Sequence, residues 1–225
     1  MTIAQNLDRI RDQVTRLAQG RPVQIVAVSK GQPPEKIREA CQAGQKAFGE
    51  SYVQEALHKQ SFLSDLALEW HFIGPLQSNK TTSVALHFEW VHGIDRIKIA
   101  ERLSNARVEA GLPPLNACLQ VNLSGESSKS GVPAGEVAHL ARAVGELRGI
   151  RLRGLMTLPE PTPDPDLQRR RFSELRMLKE SLQALGLPLD TLSMGMSEDF
   201  ASAVMEGSTI VRIGTALFGE RLRKP

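Results

Sequence analysis

The amino-acid sequence predicts an α/β protein folded as a (β/α)8 barrel of the TIM type. Three observations predict it. Short β-branched, apolar runs alternate with helix-period stripes eight times without a composition break, which means parallel strands joined by crossover helices. The runs are nearly continuous in apolar character and stop at turn residues, as strands buried on both faces do. The loops after the seventh and eighth runs each carry a glycine soon followed by a hydroxyl residue, and barrels often bind phosphate in those two loops. An open doubly wound sheet is the alternative, and it would need no pairing between first and last strands.

Residues 2–19 place Ile3, Leu7, Ile10, Val14 and Leu17 on one stripe with charges between them, an amphipathic helix packed on the outside or the closed end of the fold. The first strand is Gln24-Ile-Val-Ala-Val-Ser-Lys30, broken by Gly31-Gln-Pro-Pro34. A helix over about 34–43 stops at Gly44, and the second strand is Lys46 to Glu50. Ser51-Tyr-Val-Gln54 reads as a capping box that opens a helix running to about Asp65. Glu69 to Gly74 is the third strand, and Gln77-Ser-Asn-Lys80 opens the next helix. Trp90 to Asp95, Asn116 to Leu123, Ile150 to Thr157, Asp190 to Met196 and Ser208 to Thr215 are the remaining strands. Helices fall at Arg96 to Ala110, around Val137, Leu140, Val144 and Leu147, from the Pro-rich 159–165 loop to Gly186, and at Ser197 to Glu206. Ser124 to Gly131 is a polar loop. The steady rhythm argues for one domain over residues 1–225.

Composition narrows the function. Lys and Arg exceed Asp and Glu by 28 to 25, a net charge of +3, and no basic patch interleaved with aromatics accompanies the excess, so nucleic acid is not expected. Cys41 and Cys118 have neither disulfide-framework nor metal-ligand spacing, which fits a reducing compartment. Five scattered histidines form no His-x-x-x-His pair, so no metal site is expected. No apolar run approaches the ~20 residues of a membrane span, and no signal-peptide core opens the chain. The expectation is a soluble cytoplasmic monomer.

Lys30 carries the first candidate chemistry. A buried parallel strand delivers its last residue to the ligand-binding end of the sheet, although a strand-end lysine can also simply point at water. Met194-Gly195-Met196-Ser197 and Arg212-Ile-Gly214-Thr215 look built to gather backbone N–H groups on a phosphate. Alternatively, Ser197 and Thr215 are only helix caps. Glu198 and Asp199 would repel a phosphate unless they point outward. A lysine facing a phosphate cradle suggests a Schiff base with a phosphorylated aldehyde. Arg212, inside an apolar run, must be paired: with Asp95 or Glu50 in a barrel layer, or with a ligand's ring nitrogen. His71 and Asn122 could line the same mouth or be satisfied core residues, and Lys80 and Lys129 are read as solvated.

Ile25-Val-Ala-Val-Ser-Lys30, Phe48-Gly-Glu50 with Tyr52-Val-Gln-Glu55, Trp70-His-Phe-Ile-Gly-Pro-Leu-Gln-Ser-Asn-Lys80, Gln120-Val-Asn122, Gly154-Leu-Met156, Ser193-Met-Gly-Met-Ser197 and Val211-Arg-Ile-Gly-Thr215 with Phe218-Gly219 resemble the pyridoxal phosphate homeostasis protein family over nearly the whole chain. The resemblance implies a barrel like the N-terminal domain of alanine racemase, without a second domain, binding pyridoxal 5′-phosphate (PLP). It implies that Lys30 holds PLP as an internal aldimine. Ser197, Gly214 and Thr215 fall in the phosphate motif, Arg212 lies on the pyridine-nitrogen side, and Ser51, His71, Asn122 and Met194 complete the cofactor-binding set. The family's usual Asn after Phe-Gly-Glu is Ser51 here. The implied role is intracellular PLP (vitamin B6) and amino-acid homeostasis without catalytic turnover, with PLP-requiring apo-enzymes as candidate recipients. Two alternatives stand beside it: a small PLP-dependent amino-acid racemase, and a class I aldolase-like barrel using Lys30 on a sugar phosphate.

Overall fold

The computed structural model describes residues 1–123 and 130–220, so the Ser124 to Gly131 loop is described only at its end and Lys129 lies outside the described residues. In chain order the elements are α1 (Ile3–Ala18), β1 (Gln24–Val28), α2 (Pro34–Gln42), β2 (Ala47–Glu50), α3 (Val53–Phe62), β3 (Glu69–Phe72), α4 (Thr81–His87), β4 (Trp90–Ile94), α5 (Ile97–Glu109), β5 (Leu115–Asn122), β6 (Val132–Pro133), α6 (Val137–Gly145), β7 (Ile150–Met156), α7 (Pro165–Ala184), β8 (Thr191–Ser193), α8 (Phe200–Met205), β9 (Ile210–Ile213) and α9 (Thr215–Phe218). All strand pairs are parallel. The ring β1-β2-β3-β4-β5-β7-β8-β9 closes through the pairing of β9 with β1, and β6 adds only to β5. Closure excludes the open sheet.

Alternation along the strands divides the apolar residues into two layers. Val26, Ala47, Trp90, Cys118, Met156 and Ile210 form one buried cluster inside the barrel. Ala27, Phe48, Phe72, Val91, Leu119, Leu155, Leu192, Val211 and Ile213, on the opposite parity, pack with the helices in the other. Continuing the inward parity beyond the strand ends reaches Lys30, Ser51, Ile73, Leu158 and Gly214, so strand phase selects the part of the mouth that the strands supply.

The outer layer explains α1. Ile3, Leu7, Ile10, Val14 and Ala18 are buried, against α2, α8 and α9, with Asn6 Nδ2 donating to the Leu217 carbonyl at 3.0 Å. Each of the Ile, Leu and Val side chains contributes about 1.5–3 kcal/mol when fully buried. Thr2 and Gln5 close a capping box at its start. α1 therefore lies on the outside of the barrel.

Three expected helix starts or strand ends are corrected. The capping box at Ser51 does not form: α3 begins at Val53 with Tyr52 as its N-cap and no side-chain cap bond. A Cβ on Gly74 would fall on the backbone of Ser51, so the bend at Ser51, just after β2, is packed directly against the chain that leaves β3. Ser197 likewise does not start α8, whose N-cap is Asp199. The seventh barrel strand is shortened to Thr191–Ser193 because Gly195, at φ +95°, turns the chain out of the sheet.

Close backbone approach between β7 and β8 rests on one glycine. A Cβ on Gly154 would fall on the Thr191 carbonyl oxygen, which is backbone and cannot swing aside. Gly154→Ala should lower stability by about 1–3 kcal/mol, seen as a lower urea midpoint at unchanged slope. An unchanged midpoint would show that β7 and β8 separate freely.

Candidate functional site

The mouth holds a cavity of ≈ 260 Å³ lined by residues that include Lys30, Ser51, Ser197, Arg212, Gly214 and Thr215. Six of the nine sequence-predicted site residues therefore meet around one space. The other three do not line it. Met194 is fully buried in the helix-facing layer. His71 is buried inside the barrel, below the cavity-lining Ile73 on the same strand face. Asn122 ends β5, half-buried, in register with Pro133.

Lys30 follows β1, and the backbone on both sides of it is clamped. Buried Lys59 donates from Nζ to the Ser29 carbonyl at 2.7 Å, to Glu50 Oε1 at 2.7 Å and to Glu55 Oε1 at 2.6 Å. Ser29 Oγ donates to Glu50 Oε1 at 2.6 Å, and Gly31 N donates to Glu55 Oε1 at 2.6 Å. Gly31 adopts φ +72°, the left-handed region, so the bend after Lys30 calls for glycine. Burial pushes the Glu50 carboxyl up from its ordinary value, and Lys59 opposes that rise. The sequence reading missed Lys59. Glu55 and Lys59 are four apart on a helix, a spacing that ordinarily marks a solvated surface pair; here the lysine is 3% exposed.

The two glycine loops meet on a serine. Ser197 Oγ accepts from Gly214 N at 3.3 Å and Ala216 N at 3.2 Å, so this hydroxyl sits where backbone donors of the second loop converge. Ser197 thus caps the turn after β9 rather than its own helix. Asp199 does not point outward: it lines the cavity and accepts from Met196 N at 2.6 Å. Burial raises its pKa against the pull of the Met196 N–H and the Arg212 charge.

Arg212 pairs with neither Asp95 nor Glu50. Asp95 bonds Arg96 and Glu50 bonds Lys59. Arg212 Nη1 instead donates to the Ser193 carbonyl at 2.7 Å and to Ser193 Oγ at 2.6 Å, while Nη2 donates to the Thr157 carbonyl at 2.9 Å. Carbonyl dipoles satisfy it, so the guanidinium keeps its positive charge for the cavity. Burial lowers its pKa to about 10, still protonated at neutral pH. Beneath it, His92 Nδ1 lies 2.7 Å from Ser193 Oγ, His92 Nε2 lies 2.9 Å from His71 Nδ1, and His71 Nε2 lies 2.6 Å from Glu69 Oε1. His92 was not singled out in the sequence, where it looks like an ordinary residue of an apolar strand, and Ser193 entered only as the first residue of the Ser193-Met-Gly-Met-Ser197 motif, with no role of its own. Among the described residues no three His, Cys, Asp or Glu side chains are placed to share a metal ion, and no helix is long and apolar enough to cross a membrane.

This arrangement has relatives. The sequence profile described as alanine racemase, N-terminal domain, matches residues 3–222. A protein of Pseudomonas aeruginosa called pyridoxal phosphate homeostasis protein is 56% identical over 225 residues, covering 98% of this chain and 96% of its own. The chain belongs to the pyridoxal phosphate homeostasis protein family. A family member from Escherichia coli is 48% identical over 227 residues, with 97% of both chains covered. PipY of Synechococcus elongatus, solved with PLP bound, superposes with a TM-score of 0.87 at 39% identity, covering 97% of this chain and all of that one. Alanine racemase of Clostridium difficile shares the fold at a TM-score of 0.76 and 13% identity, and this chain, 96% covered, spans 57% of it.

Side-chain roles in the clamp and at the rim separate on substitution. Ser51 has no cap bond to lose, so Ser51→Ala should change stability by less than about 0.5 kcal/mol. Lys59→Met leaves Glu50 buried without its cation and should cost about 3–5 kcal/mol. Urea melts of both variants beside the unsubstituted protein check the contrast, and equal losses would contradict it.

Proposed function

We propose that the chain binds PLP at this mouth, with Lys30 as the covalent attachment point, and serves PLP homeostasis as a carrier without catalytic turnover. The observation that carries the reading is the convergence, around one cavity, of an amine, a cradle and a cation suited to the three ends of PLP. The cofactor supplies an aldehyde open to attack by a neutral primary amine, a phosphate and a ring nitrogen. The residues fit these needs. The Lys59 clamp fixes the backbone that presents Lys30. Ser197 Oγ takes the N–H groups of Gly214 and Ala216 and so keeps its own hydroxyl proton to donate at one rim, where Thr215 adds its hydroxyl to the lining. Arg212 has all of its Nη1 protons and one Nη2 proton committed to Ser193 and Thr157; Nε–H and the remaining Nη2–H are what it can offer a ring nitrogen. A charged arginine there opposes protonation of that nitrogen, which weakens the ring as an electron sink. PipY with PLP bound supports the ligand, and the names of the relatives support the homeostatic role.

The case against turnover rests on the lining. A two-base racemase needs a second proton carrier opposite the lysine. The ionisable residues lining the cavity are Lys30, Glu198, Asp199 and Arg212, and the single tyrosine of the sequence, Tyr52, is 64% exposed at the start of α3. Glu198 and Asp199 belong to the turn beside Ser197, at the phosphate side of the proposed site. The cytoplasm is the proposed compartment, a monomer the proposed state, and PLP-requiring apo-enzymes the proposed recipients.

Borohydride reduction of PLP-loaded protein followed by peptide mapping should place the cofactor on Lys30, and Lys30→Ala should lose the covalent adduct while keeping its circular dichroism. Adduct on another lysine would refute the assignment. With D- or L-alanine in heavy water, deuterium should not accumulate at the α-carbon above the level set by free PLP. Rapid, saturable exchange that disappears in Lys30→Ala would make the protein a small racemase.

A further inference from the structure

Four buried or half-buried polar side chains line up through the barrel core beneath Arg212, and with Glu69 ionised and both histidines neutral their hydrogen-bond directions follow from the two ends of the chain. Arginine only donates, so Ser193 Oγ is the acceptor of the 2.6 Å contact from Arg212 Nη1. At the other end the Glu69 carboxylate draws the Nε2 proton of His71, so neutral His71 accepts on Nδ1 from His92 Nε2. Neutral His92 then accepts on Nδ1, and the one hydroxyl proton of Ser193 goes there, 2.7 Å away. A nitrogen that accepts carries no proton, so neutral His92 bears its proton on Nε2 and donates it to His71 Nδ1 at 2.9 Å. The same logic puts the His71 proton on Nε2, facing Glu69 Oε1 at 2.6 Å. Donation runs one way, from Arg212 through Ser193, His92 and His71 to Glu69. A cation stands at the cavity end and a carboxylate at the opposite end of the strands.

Building on the PLP reading above, we infer that Ser193, His92, His71 and Glu69 are positioning residues for Arg212, and that they tie its hold on a ligand's ring nitrogen to proton uptake at the far end of the barrel. The Glu69 side chain is 38% exposed while the His71 side chain is fully enclosed, so solvent protons reach the chain past Glu69. If His71 takes up one proton, both of its nitrogens become donors. His92 must then accept on Nε2 and carry its single proton on Nδ1, aimed at Ser193. The tally is one proton gained and one moved across the His92 ring. Ser193 Oγ now receives two donors and has lost His92 as the acceptor for its own proton, so its grip on Arg212 Nη1 is reset.

The surroundings support a neutral His92. Burial, His71 and Arg212 together hold His92 well below the ordinary histidine range. The His71 hydrogen bond draws the Glu69 carboxyl below its usual value, as an acceptor at the end of the chain should be. Other charged or titratable groups face the chain from each neighbouring strand. Arg153 on β7 stands 5.0 Å from the centre of the Trp90 ring, which itself stacks on His71 at 5.5 Å. Asp190 binds Arg153, and Gln24 on β1 donates to Glu69 at 2.7 Å. The buried thiol of Cys118 on β5 is pushed up to about 12 and stays neutral. At the cavity end, Asp199, Glu198 and Lys30 face Arg212 across the lining. The clamp of Lys59, Glu50 and Glu55 lies toward α3.

The first test needs no cofactor. Long-range proton–nitrogen spectra of 15N-histidine protein should show His71 and His92 both protonated on Nε2 at about pH 8, with His92 moving its proton to Nδ1 as the solution is acidified to about pH 5. A His92 already protonated on Nδ1 at about pH 8, or one that keeps its tautomer while His71 titrates, overturns the inference. The second test measures PLP dissociation constants over the same range. Free-PLP ionisation contributes equally to every variant, so differences between variants isolate the chain. Ser193→Ala should weaken binding about tenfold at high pH, as expected on losing one hydrogen bond to a charged group, and should flatten the wild-type pH step. Glu69→Gln, a half-exposed change that spares the fold, should move the step to lower pH because the carboxylate no longer favours a charged His71. Wild-type profiles in both variants would overturn the inference. Failure of the unsubstituted protein to bind PLP would instead overturn the functional reading, with the spectra still deciding whether the chain is directional.

Discussion

The mouth depends on the register of β1 between β2 and β9. Ala27 lies opposite Phe48 on one side and Ile213 on the other, and from those two pairings the phase of every inward residue follows. A slip of one residue would turn Val26 and Val28 into the helix layer. It would carry Lys30 away from Ser197 and Arg212 and bring Ser29 into the cavity instead. The slip is opposed from both layers, because Ala27 is packed among helix-facing residues while Val26 belongs to the interior cluster. The clamp around Lys59 adds a polar lock just beyond the strand, where apolar packing ends and the chain must bend at Gly31.

Much of the architecture was legible because its signals are periodic. Eight strands alternating with helices, the α1 stripe and the Lys30 strand end were read directly from spacing. The cavity members that the strands supply followed from the same phase, which is why Lys30, Arg212 and Gly214 were visible, each on an inward position of a recognisable strand or just beyond its end. Met194 shows the limit of reading a motif as a block. It sits one residue from Gly195 in a stretch with a ligand-like appearance, yet its parity sends the side chain toward the helices.

Partners were the part the sequence concealed. Ser51 and Ser197 both stand where a helix was expected to begin, and both were read as caps of their own helix. Ser51 caps nothing, since it lies at the bend before the N-cap Tyr52 with its backbone against Gly74, and Ser197 caps a turn 17 residues later. Arg212 had to be paired, and nearby carboxylates were the natural candidates; carbonyls of β8 and of Thr157, just after β7, took that part instead. Such choices depend on three-dimensional neighbours brought in by barrel closure. The same holds for His92, which reaches Ser193 across 101 positions of sequence.

The rim of the cavity on one side comes from the Pro-rich segment after β7, represented by Leu158, Pro161 and Thr162. Gln168 at the start of α7 donates to the Thr162 carbonyl at 2.7 Å and accepts from Ser202 of α8 at 2.7 Å. Prolines have little freedom to lose, and this anchor fastens the segment to two helices at once. A doorway built that way stands at the same width whether a guest is arriving or departing. On this side of the mouth, entry carries little ordering cost and exit little return of flexibility.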